Sequence, residues 1–352
     1  MAALNPRRAR ILIGGLIAAG VIFTVLVLAL DEDGRQGFPA GVRLPAQTAE
    51  GASWSPDGRW VAIPNSSGVL LRDPDGERSR QLRAPRTPRY LGTMPGRIGW
   101  SRDGEELRYV TTVGPEKMSG AWVTTVPVDG GKARQLGLGT SVISVGWSPR
   151  GPRLLFTTGP NAFGPGGDVG PRSALWELRR LDAEPRQLVD LPGDESGPEF
   201  SPDTTRILFS LEVEEGRFEL WVVRSDGGGA RRLAGPFLTL AYRWAPNNRR
   251  VALVAAKSSD GDNHLYVIPA SGGKLRDLSG HGLAAAEPAW TPGGRWIAYA
   301  TRAGEIEKVR LGGADRQKIA DFDGERIANL LWSPDGKRLA YSSEEIVERT
   351  SD

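Results

Sequence analysis

The string WSPDGRWVAI occupies residues 54–63, and WSPDGKRLAY occupies residues 332–341, near the other end of the chain. Five related strings lie between them, and all seven align without a gap. Self-similarity at a regular spacing is the sequence signature of a repeat fold. The first residue of every string is aromatic: Trp54, Trp100, Trp147, Phe200, Trp244, Trp290 and Trp332.

Two further positions of the string are apolar in every copy. The eighth position holds Val61, Leu107, Leu154, Ile207, Val251, Ile297 and Leu339. The tenth position holds Ile63, Tyr109, Phe156, Phe209, Leu253, Tyr299 and Tyr341. Apolar residues two positions apart have the period of a β-strand with one buried face.

A tight turn precedes each of these strands. In S-P-D-G, proline presets φ and the serine oxygen can accept a nearby backbone N–H, as in a type I turn. A catalytic or metal-binding role for Asp57 or Asp335 would need several carboxylates brought together. The repeat instead puts these aspartates in separate units, and three copies have no acid at this position. The pattern therefore favours a structural role in a hairpin turn.

A second landmark, a Leu or Ile after polar residues, follows every string except the last. The landmarks are Leu82, Leu136, Leu188, Leu233, Leu278 and Ile319. Each repeat thus has room for four strands, and the motifs are 46, 47, 53, 44, 46 and 42 residues apart. Four-stranded units of this length, arranged around an axis, form a β-propeller.

The last repeat has room for only three strands, whereas Leu44 precedes the first motif by 10 residues. We therefore predict that residues 41–46 form the outer strand of the seventh blade, which closes the ring and removes its exposed edges. The predicted fold class is all-β, a propeller of seven four-stranded blades closed by an N-terminal strand. A ring of six blades with one degenerate or appended repeat is the competing interpretation.

The repeated string resembles the repeat of TolB-type propellers, which is also found in prolyl oligopeptidase-like and dipeptidyl peptidase-like proteins. The resemblance covers residues 41–352 and is specific for the fold, not for an activity. It implies a periplasmic protein that binds protein partners, or, in the peptidases, a gate to a separate hydrolase domain. Two copies depart from the motif in the turn, at Thr204–Thr205 and at Asn247–Asn248. These departures are expected to affect the turn geometry of two blades and not the fold.

The first residues predict a membrane anchor. Residues 1–10 carry three arginines, and residues 11–30 are 20 residues without a charge. At about 1.5 Å per residue, such a helix spans roughly the 30 Å of a bilayer core. The basic N-terminus predicts a cytoplasmic start, and residues 31–40 would then link the single transmembrane helix to an extracytoplasmic propeller at 41–352. A cleaved signal peptide is the alternative.

Charge and composition narrow the function classes. The net charge of +3 comes entirely from the first ten residues, so residues 31–352 hold 42 basic and 42 acidic groups. This balance gives no indication of a basic face for nucleic acid. Cysteine is absent, which excludes disulfides, thiolate metal sites and cysteine nucleophiles.

Enzyme signatures are weak in this sequence. No G-x-S-x-G string occurs, and the chain has two histidines, His264 and His281, too few for the histidine-rich metal sites of some propeller enzymes. The segment SSDGDNH at 258–264 only loosely suggests a calcium loop, because it lacks the EF-hand spacing and the distal glutamate. We predict no catalytic residues, no metal and no cofactor.

Binding residues are expected in the loops at the channel entrance, because loops vary while the blades stay fixed. The loops at 84–98 and 157–174 contain aromatic and arginine residues, which are enriched at binding hot spots, and 234–240 and the loops into other inner strands add further candidates. The predicted partner-binding residues are Arg89, Tyr90, Arg97, Phe163, Arg172, Phe237, His281 and Glu287, with Glu195 as a weaker candidate. The seven motif aromatics are assigned to the packing between blades.

The sequence thus predicts a membrane-anchored, extracytoplasmic propeller of the bacterial envelope, periplasmic or extracellular, that binds protein partners without catalysis. A ligand-sensing, hydrolase or lyase-type propeller with a small-molecule site at the central channel is the alternative.

Overall fold

The computed structural model describes residues 42–44, 51–65, 67–83, 91–93, 98–113, 120–140, 142–159, 173–258, 261–279, 282–313, 315–322 and 325–345. Every regular element within these ranges is a β-strand. The described residues also contain no helix that is long and apolar enough to cross a bilayer. The segments 1–10, 11–30 and 31–40 lie outside the described residues.

The fold is an all-β propeller with six blades of four strands, and in each blade consecutive strands pair antiparallel. The strand β1 (Val42–Leu44) comes first in the chain and belongs to the last sheet. Blade 1 contains β2 (Ser53–Trp54), β3 (Val61–Asn65), β4 (Gly68–Arg72) and β5 (Ser79–Arg83). In blade 2 the inner strand has two pieces, β6 (Leu91–Thr93) and β7 (Gly99–Trp100), followed by β8 (Glu106–Val113), β9 (Gly120–Pro127) and β10 (Arg134–Gly137).

The remaining four-stranded blades repeat this order. Blade 3 contains β11 (Val142–Trp147), β12 (Leu154–Thr158), β13 (Leu175–Leu178) and β14 (Arg186–Val189). Blade 4 contains β15 (Asp194–Phe200), β16 (Arg206–Glu214), β17 (Arg217–Arg224) and β18 (Arg231–Phe237). Blade 5 contains β19 (Thr239–Trp244), β20 (Arg250–Ala256), β21 (His264–Pro269) and β22 (Arg276–Asp277). Blade 6 contains β23 (Ala289–Trp290), β24 (Trp296–Ala300), β25 (Glu305–Arg310) and β26 (Arg316–Asp321).

A last sheet of three strands follows blade 6. It has the order β1, β28 (Leu339–Glu345), β27 (Glu325–Trp332). The N-terminal strand pairs parallel with β28, with Val42 opposite Ala340. In a blade of four antiparallel strands, the outer strand runs parallel to the second strand, and β1 has this direction relative to β28. Among the described residues, however, no third strand lies between β1 and β28. This sheet therefore has three strands where the sequence predicted four.

The two apolar columns of the repeat form the core between blades. All seven residues of the eighth position are fully buried, and those of the tenth position are at most 4% exposed. Hydrophobic clusters join neighbouring sheets, for example Val254 of blade 5 with Trp290 and Ile297 of blade 6. The period-two pattern predicted this burial correctly.

The serine and aspartate of the motif hold its turn. Ser55 Oγ accepts the Trp60 N–H at 2.9 Å and donates to Asp57 at 2.7 Å, and Asp57 accepts the Arg59 N–H at 2.9 Å. Burial opposes ionisation of Asp57, but the hydrogen bonds from Ser55 and Arg59 outweigh it and hold its pKa below the usual value. The same bonds recur at Ser101 with Asp103, Ser201 with Asp203, and Ser333 with Asp335.

The tryptophan, proline and glycine of the motif connect neighbouring repeats. Trp100 Nε1 donates to Ser53 Oγ at 2.9 Å, one residue before the preceding motif. Trp244 and Trp290 reach the carbonyl oxygens at the corresponding positions of their preceding blades. The turn glycine Gly104 has φ of 75° and lies next to Pro56 of the preceding repeat, where a Cβ would be in van der Waals contact with the ring at 3.6 Å. Each motif residue therefore has a local or an inter-blade role.

Two non-glycine residues adopt the left-handed conformation at the glycine position of the motif. Thr204 has φ of 64° and Asn248 has φ of 61°. The departures from the motif thus keep the turn geometry. For a β-branched residue this conformation is strained, whereas asparagine tolerates it.

Thr204→Gly is therefore expected to stabilise the protein by about 0.5–1 kcal/mol, because release of a left-handed strain of roughly 1–2 kcal/mol exceeds the entropic cost of glycine. Denaturant unfolding of the two proteins measures the change. Thr204→Ala is the control and should give no such gain, because alanine keeps the Cβ. A Thr204→Gly variant no more stable than Thr204→Ala would contradict the assignment of strain.

Candidate functional site

The inner strands surround a cavity of about 810 Å³ that runs along the propeller axis. Residues one or three positions before each motif aromatic line it. They are Gly51, Ser53, Gly99, Ser144, Gly146, Gly197, Glu199, Ala241, Arg243, Glu287, Asn329 and Leu331. The cavity is therefore a central channel with contributions from every sheet.

An ion cluster lies on one wall of this channel. Arg243 on β19 contacts Glu287, which precedes β23, and its Nη1 is 3.6 Å from Glu199 Oε2 on β15. The same Nη1 donates to the carbonyl of Tyr242 at 3.0 Å. The side chain of Arg243 is 15% exposed, whereas those of Glu199 and Glu287 are 26% and 39% exposed. Blades 4, 5 and 6 thus present two carboxylates and one guanidinium to the channel.

The facing wall consists of small residues. Gly99 lies under the ring of Trp147, where a Cβ would come within 2.5 Å of it. Gly146 approaches the backbone of the next blade, and a Cβ there would lie 2.0 Å from the carbonyl oxygen of Pro198. Larger side chains at either glycine would clash with neighbouring groups.

Several backbone irregularities lie on the channel wall. The inner strands β11, β15 and β27 each change register along their length. Asn329 on β27 adopts φ of 55° and lines the channel, and Tyr242 OH donates to the carbonyl of Gly197 at 2.5 Å. Bulges and left-handed residues are typical of binding and catalytic sites.

The entrance face is the end of the propeller where inner strands begin and second strands end; the motif turns lie on the opposite, motif face. Three large apolar side chains are notably exposed in the described part of the chain: Trp122 at 38%, Ile143 at 39% and Val213 at 37%. Trp122 lies near the start of β9, Ile143 at the start of β11 and Val213 near the end of β16. All three therefore lie toward the entrance face, on the consecutive blades 2, 3 and 4.

Long hairpins explain this exposure. In blade 1, β3 and β4 have five residues each, whereas β8 and β9 in blade 2 have eight each. In blade 4, β16 has nine residues and β17 has eight. The hairpins of blades 2 and 4 are therefore longer than that of blade 1, and Trp122 and Val213 lie on them.

Metal and histidine chemistry find little support in the described residues, which contain no group of three His, Asp or Glu side chains suited to a metal ion. His264 lies on the third strand of blade 5, away from the channel, with Nδ1 2.8 Å from Asp277. In the segment suggested as a calcium loop, Asp262 pairs with Arg302, and Asn263 bonds Thr239. These two side chains serve the local structure.

The predicted binding residues divide into three groups. Arg89, Tyr90, Arg97, Phe163, Arg172 and His281 lie outside the described residues. Glu287 lies in the channel, within the ion cluster. The prediction for Phe237 was wrong: its side chain is 2% exposed and stacks on Tyr266 in the core between blades 4 and 5, so a partner cannot reach it.

Sequence reasoning missed Glu199 and Arg243. Both occupy the position directly before a motif aromatic, where other repeats have small or apolar residues such as Gly99 and Leu331. Charged residues at a position that faces a narrow channel could have marked the site. This position precedes the motif and therefore lies outside its aromatic and apolar positions.

The most buried charge in the described chain serves the packing of blades 3 and 4. Glu177 on β13 is fully buried and is paired with Arg153 at 2.5 Å, Arg179 at 3.2 Å and Arg186 at 3.0 Å. Burial opposes ionisation of Glu177, but hydrogen bonds from Arg186 and Arg153 outweigh it and lower its pKa. Arg153 also stacks on Phe200 of blade 4, with 4.7 Å to the ring centre.

Comparison with known proteins supports the fold and leaves the activity open. No protein-family model matches the chain. The chain is 25% identical over 272 residues to the uncharacterised protein Atu1656 of Agrobacterium fabrum. This match covers 71% of this chain and 83% of Atu1656. It is 33% identical over 129 residues to the Tol-Pal system protein TolB of Anaeromyxobacter dehalogenans, and 25% identical over 150 residues to the uncharacterised peptidase YuxL of Bacillus subtilis. The TolB match covers 36% of this chain and 27% of TolB. The YuxL match covers 40% of this chain and 22% of the peptidase.

Solved structures show the same architecture. An oligogalacturonate lyase in complex with manganese superposes with a TM-score of 0.62 at 13% identity, over 87% of this chain and 90% of that chain. A putative TolB from Agrobacterium tumefaciens superposes with a TM-score of 0.54 at 16% identity, over 84% and 90%. At these identities the likeness concerns the fold. The chain therefore has TolB-like propellers among its structural neighbours and TolB relatives at low identity.

Proposed function

We propose that this protein is a non-catalytic protein-interaction module of the bacterial cell envelope, anchored by residues 11–30 with its propeller outside the cytoplasm. The exposed apolar residues on the entrance face of blades 2–4 carry the proposal. The similarity to TolB, named for the Tol-Pal system, agrees with it, because TolB-like propellers bind proteins in the envelope. The uncharged segment at 11–30 and the three arginines before it support the anchor.

We further propose that the three-stranded sheet is a seventh blade, so that the ring is closed. Its contacts with blade 1 are those that join other neighbours. Trp54 Nε1 donates to the carbonyl of Leu331 at 2.9 Å, and Gly58 packs on Pro334 as Gly104 does on Pro56. Ala52, Val61, Ile63, Leu331 and Ala340 form a shared core cluster. Closure gives the entrance face a fixed frame.

Apolar contact residues suit a domain whose net charge is zero and which therefore has no strong electrostatic field to attract a partner. The 42 basic and 42 acidic groups after residue 30 cancel, so association would depend on shape and buried apolar area more than on electrostatic steering. Burial of a large apolar side chain contributes about 1.5–3 kcal/mol. Trp122, Ile143 and Val213 together can thus supply a substantial part of a binding energy.

Site-specific photocrosslinking in native membranes tests the proposal. A photoreactive residue at Ile143 or Val213 is expected to give a discrete protein adduct, whereas one at Arg59 or Arg249, exposed on the motif face, should give none. The triple substitution W122S/I143S/V213S should remove an adduct formed from a further probe beside these residues. Equal adducts from both faces, or none from either, would contradict the assignment. Recovery of the unprocessed 37.9 kDa chain in the membrane fraction would test the anchor.

A small-molecule site in the channel is the second candidate, favoured by the 810 Å³ cavity beside Glu199, Arg243 and Glu287. Two carboxylates and a guanidinium can bind hydroxyl, amine or carboxylate groups. A sugar or amine that raises the unfolding temperature of the wild type, but not of Arg243→Gln, would favour this candidate.

A further inference from the structure

Glu195 is a fully buried carboxyl group at the entrance end of blade 4. It is the second residue of β15 and has no solvent exposure. Its Oε1 accepts the backbone N–H of Leu191 at 2.9 Å. Its Oε2 is buried and has no hydrogen-bond partner among the described residues. A buried ionised oxygen without a partner is costly, so this environment favours the neutral acid.

Among the described residues no ion pair joins Glu195 to a cation, and the Arg217 that begins β17 lies at the same end of blade 4. Strands β11 and β12 contain no ionisable side chain. On β13, Glu177 is occupied by its three arginines. On β16, Arg206 stacks on Trp244 at the motif end, and at the other end are Glu214 and Glu212, which accepts the Gly216 N–H.

The nearest charges are themselves acidic. Asp194 is adjacent on β15, and Asp190 lies in the loop before it. Burial raises the pKa of Glu195, hydrogen bonds from the backbone N–H groups of Leu191 and of Glu195 itself oppose this, and the charges of Asp190 and Asp194 add to the rise, so that the pKa is about 7. The carboxyl group therefore changes its charge near neutral pH.

Two connections at the entrance face are fastened around this group. Ser173, just before β13, donates its hydroxyl to the Glu195 carbonyl at 2.7 Å, and its N–H to Asp194 Oδ1 at 2.9 Å. The loop at 190–194 is bonded to the Glu195 carboxyl through Leu191. These connections lie in blades 3 and 4, between Ile143 and Val213.

We propose that Glu195 is a proton-dependent catch for the entrance face of blades 3 and 4. The neutral carboxyl can stay buried beneath the loop at 190–194, whereas the ionised carboxylate needs water at its buried oxygen, so ionisation loosens this loop and the start of β15, to which Ser173 is bonded through the Glu195 carbonyl and Asp194. This inference concerns regulation of the partner-binding surface and in that respect rests on the proposed function. The loosening itself needs no partner.

The sign follows from linkage. The folded-state pKa of an acid is raised here above its unfolded value of 4.5. The favourable contribution of the neutral form is therefore fully present below pH 4.5 and is lost as the pH rises toward and through 7. The catch is closed in mildly acidic conditions and loosened in alkaline ones.

Hydrogen exchange of the full-length protein, followed by mass spectrometry at pH 5.5 and pH 8 and corrected for intrinsic rates, tests the catch. In the wild type, protection of peptides covering 173–178 and 189–196 should fall on the order of tenfold between the two pH values, and the fall should level off above a pH of about 7. Glu195→Gln should abolish this response, because the amide does not ionise. Glu184→Gln, an exposed glutamate in blade 3, should retain it.

The outcomes separate the two proposals. A wild type with pH-independent protection at both segments overturns the catch, even if Glu195→Gln fails to fold. A pH-dependent protection without any crosslink at Ile143 or Val213 leaves the catch standing and removes the protein-interaction function. A crosslink whose yield changes with pH in the wild type, but not in Glu195→Gln, supports both.

Discussion

Replacing Glu177 by glutamine is expected to lower the free energy of unfolding by about 3–5 kcal/mol, the usual result of removing one partner from a buried ion pair. The carboxylate is fully buried and is bonded by Arg153, Arg179 and Arg186. The substitution would leave three guanidinium groups without their shared anion. Arg153 also bonds the carbonyl of Thr204 in blade 4, so the loss extends across the boundary between blades.

Denaturant unfolding of wild type and Glu177→Gln measures this loss. Glu184→Gln is the matched control, because Glu184 belongs to the same blade and is exposed. Its effect should stay within about 0.5 kcal/mol. A Glu177→Gln variant as stable as the control would show that the cluster contributes little.

The pH dependence provides a second test of the same group. The folded-state pKa of Glu177 is lowered, so its stabilising contribution is present above the unfolded-state pKa and is lost as the pH falls through the folded-state value. Wild type and Glu177→Gln should therefore converge in stability under acidic conditions and diverge at neutral pH. A constant difference at all pH values would argue against ionisation as the source.

Trp244→Ala is expected to destabilise the propeller by about 3–5 kcal/mol, because it leaves a large cavity between blades 4 and 5. The ring is 5% exposed, and Arg206 stacks over it with 4.9 Å to the ring centre. Its Nε1 donates to the Glu199 carbonyl at 3.3 Å. Because Glu199 lines the channel, this substitution should also loosen the ion cluster.

Trp122→Ala is the matched control for this substitution. Trp122 is 38% exposed, so its removal should cost considerably less stability, while it should weaken the photocrosslinked complex. The two variants therefore separate a packing role from a binding role for tryptophan. Similar stability losses in both would contradict the assignment of Trp122 to the surface.

The repeat made most of the architecture predictable. The eighth position of the string, from Val61 in the first copy to Leu339 in the last, is apolar in every copy. This pattern predicts burial directly, because a period of two determines which side chains point inward. The N-terminal strand was placed correctly in the last sheet by its spacing from Trp54. Its parallel pairing with β28 depends on which strands separate the two, and spacing contains no information on this point.

The candidate site was less accessible to sequence reasoning. Phe237 follows a landmark leucine and was assigned to a loop, but β18 continues through it and turns its ring inward. Arg243 and Glu199 meet Glu287 only because blades 4, 5 and 6 converge on the axis. That convergence is a tertiary property, and residues about 45 positions apart show no local pattern for it.

The parallel pairing of β1 with β28 has a mechanical consequence. Three residue pairs, Val42 to Leu44 with Ala340 to Ser342, hold the N-terminal strand in its sheet. A tension applied to the chain ahead of residue 42 acts along this strand, so these pairs are loaded in shear and share the force. Once they slip, the edge of β28 is exposed while the bond from Trp54 to Leu331 still holds the ring. Under such a load β1 would thus leave the edge of β28 before the bond between the last sheet and blade 1 is lost.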